Sequence, residues 1–543
     1  MSARLRLRVS AVAVLCSGVA MTSAAQAPAD PHAGHALGTV DFRVSCPAVR
    51  ADFDRAIALL HHMTYPQART AFQAVAAQDP KCAMAHWGVA MTLFQPLWPT
   101  RPSPAQLQQG WDETQKARAL APPTERERLF VAAVEAFFQE PAATDYWARI
   151  RRWEAAMAKL HDAFPSDTEA TAFFALAHLA AAPPNETSTA HAGRVAPLLL
   201  AIYEQNPDHP GAMHYLVHAN DAPGRERESL AITRRYEEVA PRNPHALHMP
   251  THIYTRLGDW EGVIRGNLLA AEAALEHPAG EKGELVWDEY PHAIEYLNYA
   301  YLQRGADADA AAQVRRLRET ARLEPSFKTA FHLASTPARY ALERRAWGEA
   351  AALVPREPSS LDWDRFAWPE AVTVFARGLG AARTKDVAEA RRMHARLGEL
   401  SAKMEKAGEE LFARTIRVQA LELAGWIALA DGDAKGALAL SQQAAELEAA
   451  TPKHPVTPGP TLPAAELLGD LLMEEKRPQE ALAAYRRSLA QYPRRFNGLL
   501  GAARAARAAG DEAGARTLYG ELLAVAAPGS SRAGLEEARR LTR

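Results

Sequence analysis

The sequence contains no glycine-rich phosphate loop, no Gly-x-Ser-x-Gly elbow and no Cys-x-x-Cys pair. These absences leave nucleotide binding, serine or cysteine nucleophilic catalysis and a thiolate zinc knuckle without support. No stretch shows a sustained alternation of apolar and polar residues, which argues against a sheet. The formal net charge is only −2 across 543 residues, so neither a nucleic-acid groove nor a polybasic membrane surface is expected. Beyond the amino terminus, no apolar run is long enough to span a bilayer. Cysteine is scarce, with 3 in the chain.

One of the three, Cys16, lies in a segment that reads as a targeting signal. Arg4, Arg6 and Arg8 precede an apolar run from Val9 to Ala20, and small residues follow at Ser23-Ala24-Ala25. A signal peptide over residues 1–25, cleaved after Ala25, is the expectation, with a periplasmic or secreted product. A retained anchor is the alternative. Two cysteines then remain, Cys46 and Cys82, and an oxidising compartment favours a disulfide between them over two thiols packed as small apolar residues. Residues 26–45 are Ala/Pro/Gly-rich, contain His32 and His35, and read as a flexible leader.

From Cys46 onward, apolar residues recur at three- and four-residue spacing, the pattern of helices throughout. Leu468-Gly469, Ala481, Tyr485 and Pro493 form one set of small, aromatic and proline landmarks, and Ala515 and Tyr519 follow 34 residues after Ala481 and Tyr485. Ala68, Phe72 and Pro80 hold the same places near the front. This resembles the tetratricopeptide (TPR) family, whose helix–turn–helix unit has a 34-residue period. The Cys82-to-Gly88 segment also looks like an exported bacterial repeat family of unassigned role, which adds no chemistry. The resemblance implies an all-α, right-handed superhelical solenoid of TPR-like hairpins. Its parts would be an N-terminal array over 46–355 with a histidine groove, a join over 356–403 and a C-terminal array over 404–543.

The chemistry-bearing pattern lies in the first array. His214/His218 and His248/His252 are two His-x-x-x-His pairs, 34 residues apart, each preceded by a proline at the same distance, Pro207 and Pro241. Four residues on a helix bring two side chains to one face. In the TPR family the second, fifth and ninth places of the first helix line the concave groove. The resemblance therefore places both pairs there, with His245, and in a third unit His292, Glu295 and Tyr299. Asp221, one turn beyond His218, joins them or orients an imidazole. Imidazole with carboxylate is a ligand set for zinc, copper, iron or nickel. Paired His-x-x-x-His helices also occur in dinuclear copper proteins, an analogy of spacing rather than of family.

The expectation is thus a transition metal (Zn, Cu or Fe) held by His214, His218, His245, His248, His252 and His292. Glu295 would be a ligand or a general base toward metal-bound water, and a small molecule or peptide would share the groove. The paired histidines His214, His218, His248 and His252 should converge on a common ion. The alternative is a protein- or peptide-binding scaffold without metal, its histidines serving as hydrogen-bonding or pH-responsive groups. His61-His62 and His86 read more simply as packed or exposed residues. The proline-rich Lys453–Pro460 segment reads as a loop folded over something, and His454 reaches the groove if the superhelix closes. Trp287, Trp363 and Trp368 read as packing between repeats.

Overall fold

A computed structural model describes residues 35–98, 100–143, 145–183, 189–280 and 283–543. The expected signal peptide and His32 lie outside these residues. The described chain is all-α, a solenoid of helical hairpins from Arg50–His61 to Leu535–Leu541. No strand forms among the described residues, where two isolated bridges, Ala279–Leu285 and Val286–Leu323, are the extended pairings. No described helix is long and apolar enough to cross a membrane.

Local chemistry explains where the histidine helices begin. Pro210–Asn220 and Pro244–His248 each start on a proline, whose missing N–H costs nothing in the first turn. Each is capped by the side chain before it: His209 Nδ1 accepts from Ala212 N at 3.1 Å, and Asn243 Oδ1 accepts from Ala246 N at 2.9 Å. The repeat thus preserves the cap as well as the ligand positions. Pro250 divides the second helix into Pro244–His248 and Pro250–Leu257. Met249 between them keeps right-handed helical dihedrals, so the axis continues and His248 and His252 stay on one face.

Sequential hairpins pack side by side, and a core of buried aromatics (Phe42, Phe53, Phe72, Trp87, Phe130, Phe173) organises the first units. Phe42 alters the reading of residues 26–45. Its described portion is pinned down, with Phe42 fully buried, Thr39 N donating to Asp208 O at 2.9 Å and His62 Nε2 donating to Leu37 O at 3.0 Å. One large aromatic filling a core site outweighs the Ala/Pro/Gly composition around it. Cys46 and Cys82 are joined in a disulfide, with Cα atoms 5.6 Å apart.

The superhelix closes on itself. Trp260 Nε1 donates to Arg494 O at 2.9 Å, Ala527 N to Arg304 O at 2.8 Å, and Arg101 forms a bidentate pair with Glu409 at 3.0 Å. Gly258, at φ +64°, permits this approach, since a Cβ there would stand 2.8 Å from the Arg494 Cβ. Helices Ala367–Arg383 and Val387–Lys406 occupy the stretch expected to join two arrays. The residue 451–463 connection turns inward, and Arg339 holds it by donating to Pro460 O, Thr457 Oγ1 and Gly459 O at 2.6–2.7 Å.

Candidate metal centre

Helices Pro210–Asn220, Pro244–Leu257, Glu289–Gln303 and Phe327–Glu343 carry the histidines inward. Six of the seven residues expected to share the groove form two triads. In each triad one nitrogen per ring lies within 4.8 Å of the others: His214/His218/His245 and His248/His252/His292. The two His-x-x-x-His pairs therefore do not make one four-imidazole group. Each pair takes its third imidazole from the following histidine helix: His245 joins His214 and His218, and His292 joins His248 and His252. The triads are adjacent, with ring centroids 6.2 Å apart for His218–His252 and 6.3 Å for His245–His248.

The outer nitrogens are anchored. His214 Nδ1 donates to His61 O at 2.6 Å, and His252 Nδ1 donates to the Asp221 carboxylate at 3.0 Å. His245 Nδ1 lies 3.2 Å from the Glu289 carboxylate. His248 Nδ1 donates to Asn267 Oδ1 at 2.7 Å, and that oxygen is identified because Asn267 Nδ2 donates to Val263 O at 2.8 Å. With their protons committed outward, the Nε2 atoms face inward. His248 and His252 Nε2 stand 3.1 Å apart, and His214 and His245 Nε2 3.2 Å apart. His218 Nε2 is buried with no hydrogen-bond partner among the described residues.

Burial drives the imidazoles toward neutrality. It lowers His214, His218, His248 and His292 well below the ordinary histidine range, and neighbouring imidazoles push the same way. His252 is also lowered by burial, against the opposing pull of Asp221. Burial pushes the Asp221 carboxyl up, but Lys453, Arg256 and His252 outweigh it and hold it well below the usual carboxylate range. Glu289 is likewise held low, burial being overcome by Lys328 and His245. Asp221 and Glu289 are thus held as anions, while burial favours the neutral form of His214, His218, His248, His252 and His292, the state in which an imidazole binds metal.

Glu295 belongs to neither triad. It accepts from His332 Nδ1 and, at 3.0 Å, from Arg339 Nε, while His332 Nε2 lies 2.9 Å from His292 Nδ1. It therefore orients His292 through a second imidazole. Asp221, expected to join the site or orient a ring, orients His252. His61 also stands apart, in a buried set with Glu169 and His209. There each atom is satisfied: His61 Nε2 donates to Glu169 at 2.8 Å, His209 Nε2 donates to it at 3.1 Å, and His61 Nδ1 pairs with Tyr215 Oη at 2.9 Å. This set is a brace. His62 pairs with Tyr236 Oη, and His86 with Glu113.

Two spaces adjoin the triads. A cavity of about 20 Å³ lies between them, lined by His218, His245, His252, His292, Trp98 and His454 among others. That is room for one water-sized ligand. A chamber of about 550 Å³ opens beside it and shares Leu97, Trp98, His218, His454 and Pro455 with it. His454 thus reaches the groove as the closed superhelix requires, packed on Trp368 and Phe412. Sequence reasoning missed Glu289, Asn267, Lys328 and His332. Glu289 alone carried a signal, as an acidic residue three before His292.

No protein-family model matches the chain, and no curated protein matches it. Among solved structures, the crystal structure of yeast Tom70 is 11% identical, aligned over 91% of this chain and 96% of that one, with a TM-score of 0.30. The APC/C hetero-tetramer Cut9–Hcn1 is 14% identical over 91% of this chain and 89% of that one, also at 0.30. Likeness at this level says nothing of what the chain binds.

Proposed function

We propose that the protein binds two transition-metal ions, one in each three-imidazole triad, as a dinuclear centre acting on a small molecule. The His248–His252 contact carries this reading. Both rings are buried and driven neutral, and both Nδ1 protons are spent on oxygen acceptors. Two Nε2 lone pairs therefore face each other at 3.1 Å, with no proton between them. A cation turns that repulsion into attraction. Two nitrogens on a tetrahedral ion, each at about 2.0–2.1 Å, stand roughly 3.3 Å apart, close to the spacing here. His214–His245 repeats the geometry at 3.2 Å.

Three neutral imidazoles without carboxylate or thiolate suit copper or zinc better than iron, which favours a mixed imidazole–carboxylate set. Three protein ligands would leave each ion a coordination position for substrate, and the cavity lined by His218, His245, His252 and His292 adjoins both triads. An exported protein would load its metal after crossing the membrane. A peptide-binding scaffold would need a free concave face, and here the residue 451–463 loop occupies it.

Elemental analysis after reconstitution with Cu or Zn tests the proposal. Two ions per chain are expected, and His214→Ala and His248→Ala should each remove one, with additive losses because the triads are separate. Zero or one ion in the wild type, or loss of both ions from a single substitution, would defeat it.

A further inference from the structure

The chamber beside the triads has its own chemistry. One wall is apolar and aromatic, from Leu97, Trp98, Trp147, Leu179, Leu411 and Phe412. Its charged residues are Arg101, Arg256, Lys453 and Arg487 against Asp221 and Glu409, an excess of two positive charges. Arg101 and Glu409 cancel in a bidentate pair, the guanidinium lying 4.0 Å over the Tyr146 ring. Arg256 and Lys453 share the single Asp221, at 2.8 and 2.9 Å. Arg487 is exposed, donates to Ala445 O at 3.1 Å and makes no ion pair among the described residues. The surplus charge thus lies on the Asp221–Lys453 side and at Arg487.

At about 550 Å³ the chamber falls within the range of small-molecule sites. His218 is the ligand candidate that faces it, half-buried where the other five are buried. We infer that the chamber receives a small amphipathic anion, an aromatic or apolar body bearing one carboxylate. The body lies along Trp98 and Trp147, the carboxylate is drawn to the Arg487 and Lys453 side, and the apolar end reaches His218 and the cavity between the triads. This inference rests on the dinuclear reading for its purpose, but the binding itself can be measured without metal.

Three probes of one skeleton separate the contributions: 3-phenylpropionate, 3-phenylpropanol and 3-phenylpropylamine. Calorimetric titration would use metal-free and zinc-loaded protein, with zinc content determined on the same samples. The anion should bind about tenfold more tightly than the alcohol, and the amine most weakly, as expected for one charge-assisted contact in a shielded site. Arg487→Gln, at an exposed position, should erase the advantage of the anion while sparing the alcohol. Trp147→Ala should weaken all three, with circular dichroism confirming the fold. Equal binding of anion and alcohol, or no binding of any probe to folded protein, overturns the inference. Zinc content below two ions overturns the dinuclear reading instead, and the two failures are read from separate measurements.

Discussion

Asp221 shows how much of the proposed centre depends on groups outside the triads. Its carboxylate accepts from His252 Nδ1, Arg256 Nε and Lys453 Nζ at 2.8–3.0 Å, linking one triad to the loop that covers it. Asp221→Asn keeps the shape but removes the anion that makes the imidazole a better donor. Metal affinity at the His248/His252/His292 triad should fall by roughly 10–100-fold, with the other triad unchanged. Competition titration against a chelator should show one weakened site of two, and equal weakening of both would refute the assignment. Glu448 is a different case, a buried acid outside the centre. Burial raises it from 4.5 to about 8, against the lowering effect of the Ala464 amide, and burial together with the Glu448 charge raises its neighbour Glu422 well above the ordinary carboxyl range. The folded state therefore holds a proton that the unfolded state releases. Stability from this source is full below the unfolded value and is lost as pH rises through about 8. Each pH unit within that window costs up to about 1.4 kcal/mol. Glu448→Gln should flatten the fall in melting temperature of metal-free protein between about pH 5 and 8. A variant whose midpoint falls as steeply as the wild type would remove Glu448 as its cause.

At the scale of the helix, the histidine pairs were legible because several signals coincide. The four-residue spacing, the 34-residue period and the flanking prolines all mark the same positions, and the structure adds the caps His209 and Asn243. The division into triads was not legible. Periodicity says which residues occupy equivalent places, but not which rings of neighbouring helices meet, and the structure brings His245 to the first pair and His292 to the second. His332 was hidden for a related reason. It follows His292 by 40 residues, outside the 34-residue register, on a helix whose sequence contains Pro337. Glu295 occupied a groove position as counted, yet its carboxylate turns toward Arg339 and His332, since a buried anion goes to the cation that compensates it. The helical class needed no such detail, because apolar residues recur at three- and four-residue spacing from Cys46 onward even where the 34-residue period drifts.

At the scale of the molecule, closure decides whether the centre is enclosed, and Arg495 is its keystone. The guanidinium is fully buried and contacts three separate helices: Glu466 at 3.0 Å, Glu343 at 2.8 Å and Tyr299 Oη at 2.9 Å. Tyr299 lies on the helix that carries His292, and Glu343 on the one that carries His332. Arg495→Met leaves buried Glu343 without a salt-bridge cation among the described residues and Glu466 with Arg345 alone, at 3.1 Å, a change that costs about 3–5 kcal/mol when one partner of a buried pair is removed. Away from these closure contacts each hairpin leans on its sequence neighbours, so the loss should stay near the contacts of Arg495. Hydrogen exchange should accelerate in Glu289–Gln303, Ala464–Glu474 and Phe496–Ala508, and in the residue 451–463 loop. The hairpins from Arg50 to Ala180, held by their own aromatic core and the Cys46–Cys82 bond, should keep their protection. Adding Glu343→Gln and Glu466→Gln to the variant removes the stranded charges and should restore part of the loss. Uniform acceleration across the chain would mean that the molecule unfolds as one unit, and unchanged exchange would mean that closure does not depend on this residue. Because His454 and Lys453 ride on the loop, the first outcome carries a consequence for the centre. Zinc should still bind, since all six imidazoles lie outside the loop, but it should leave faster once the cover is loosened.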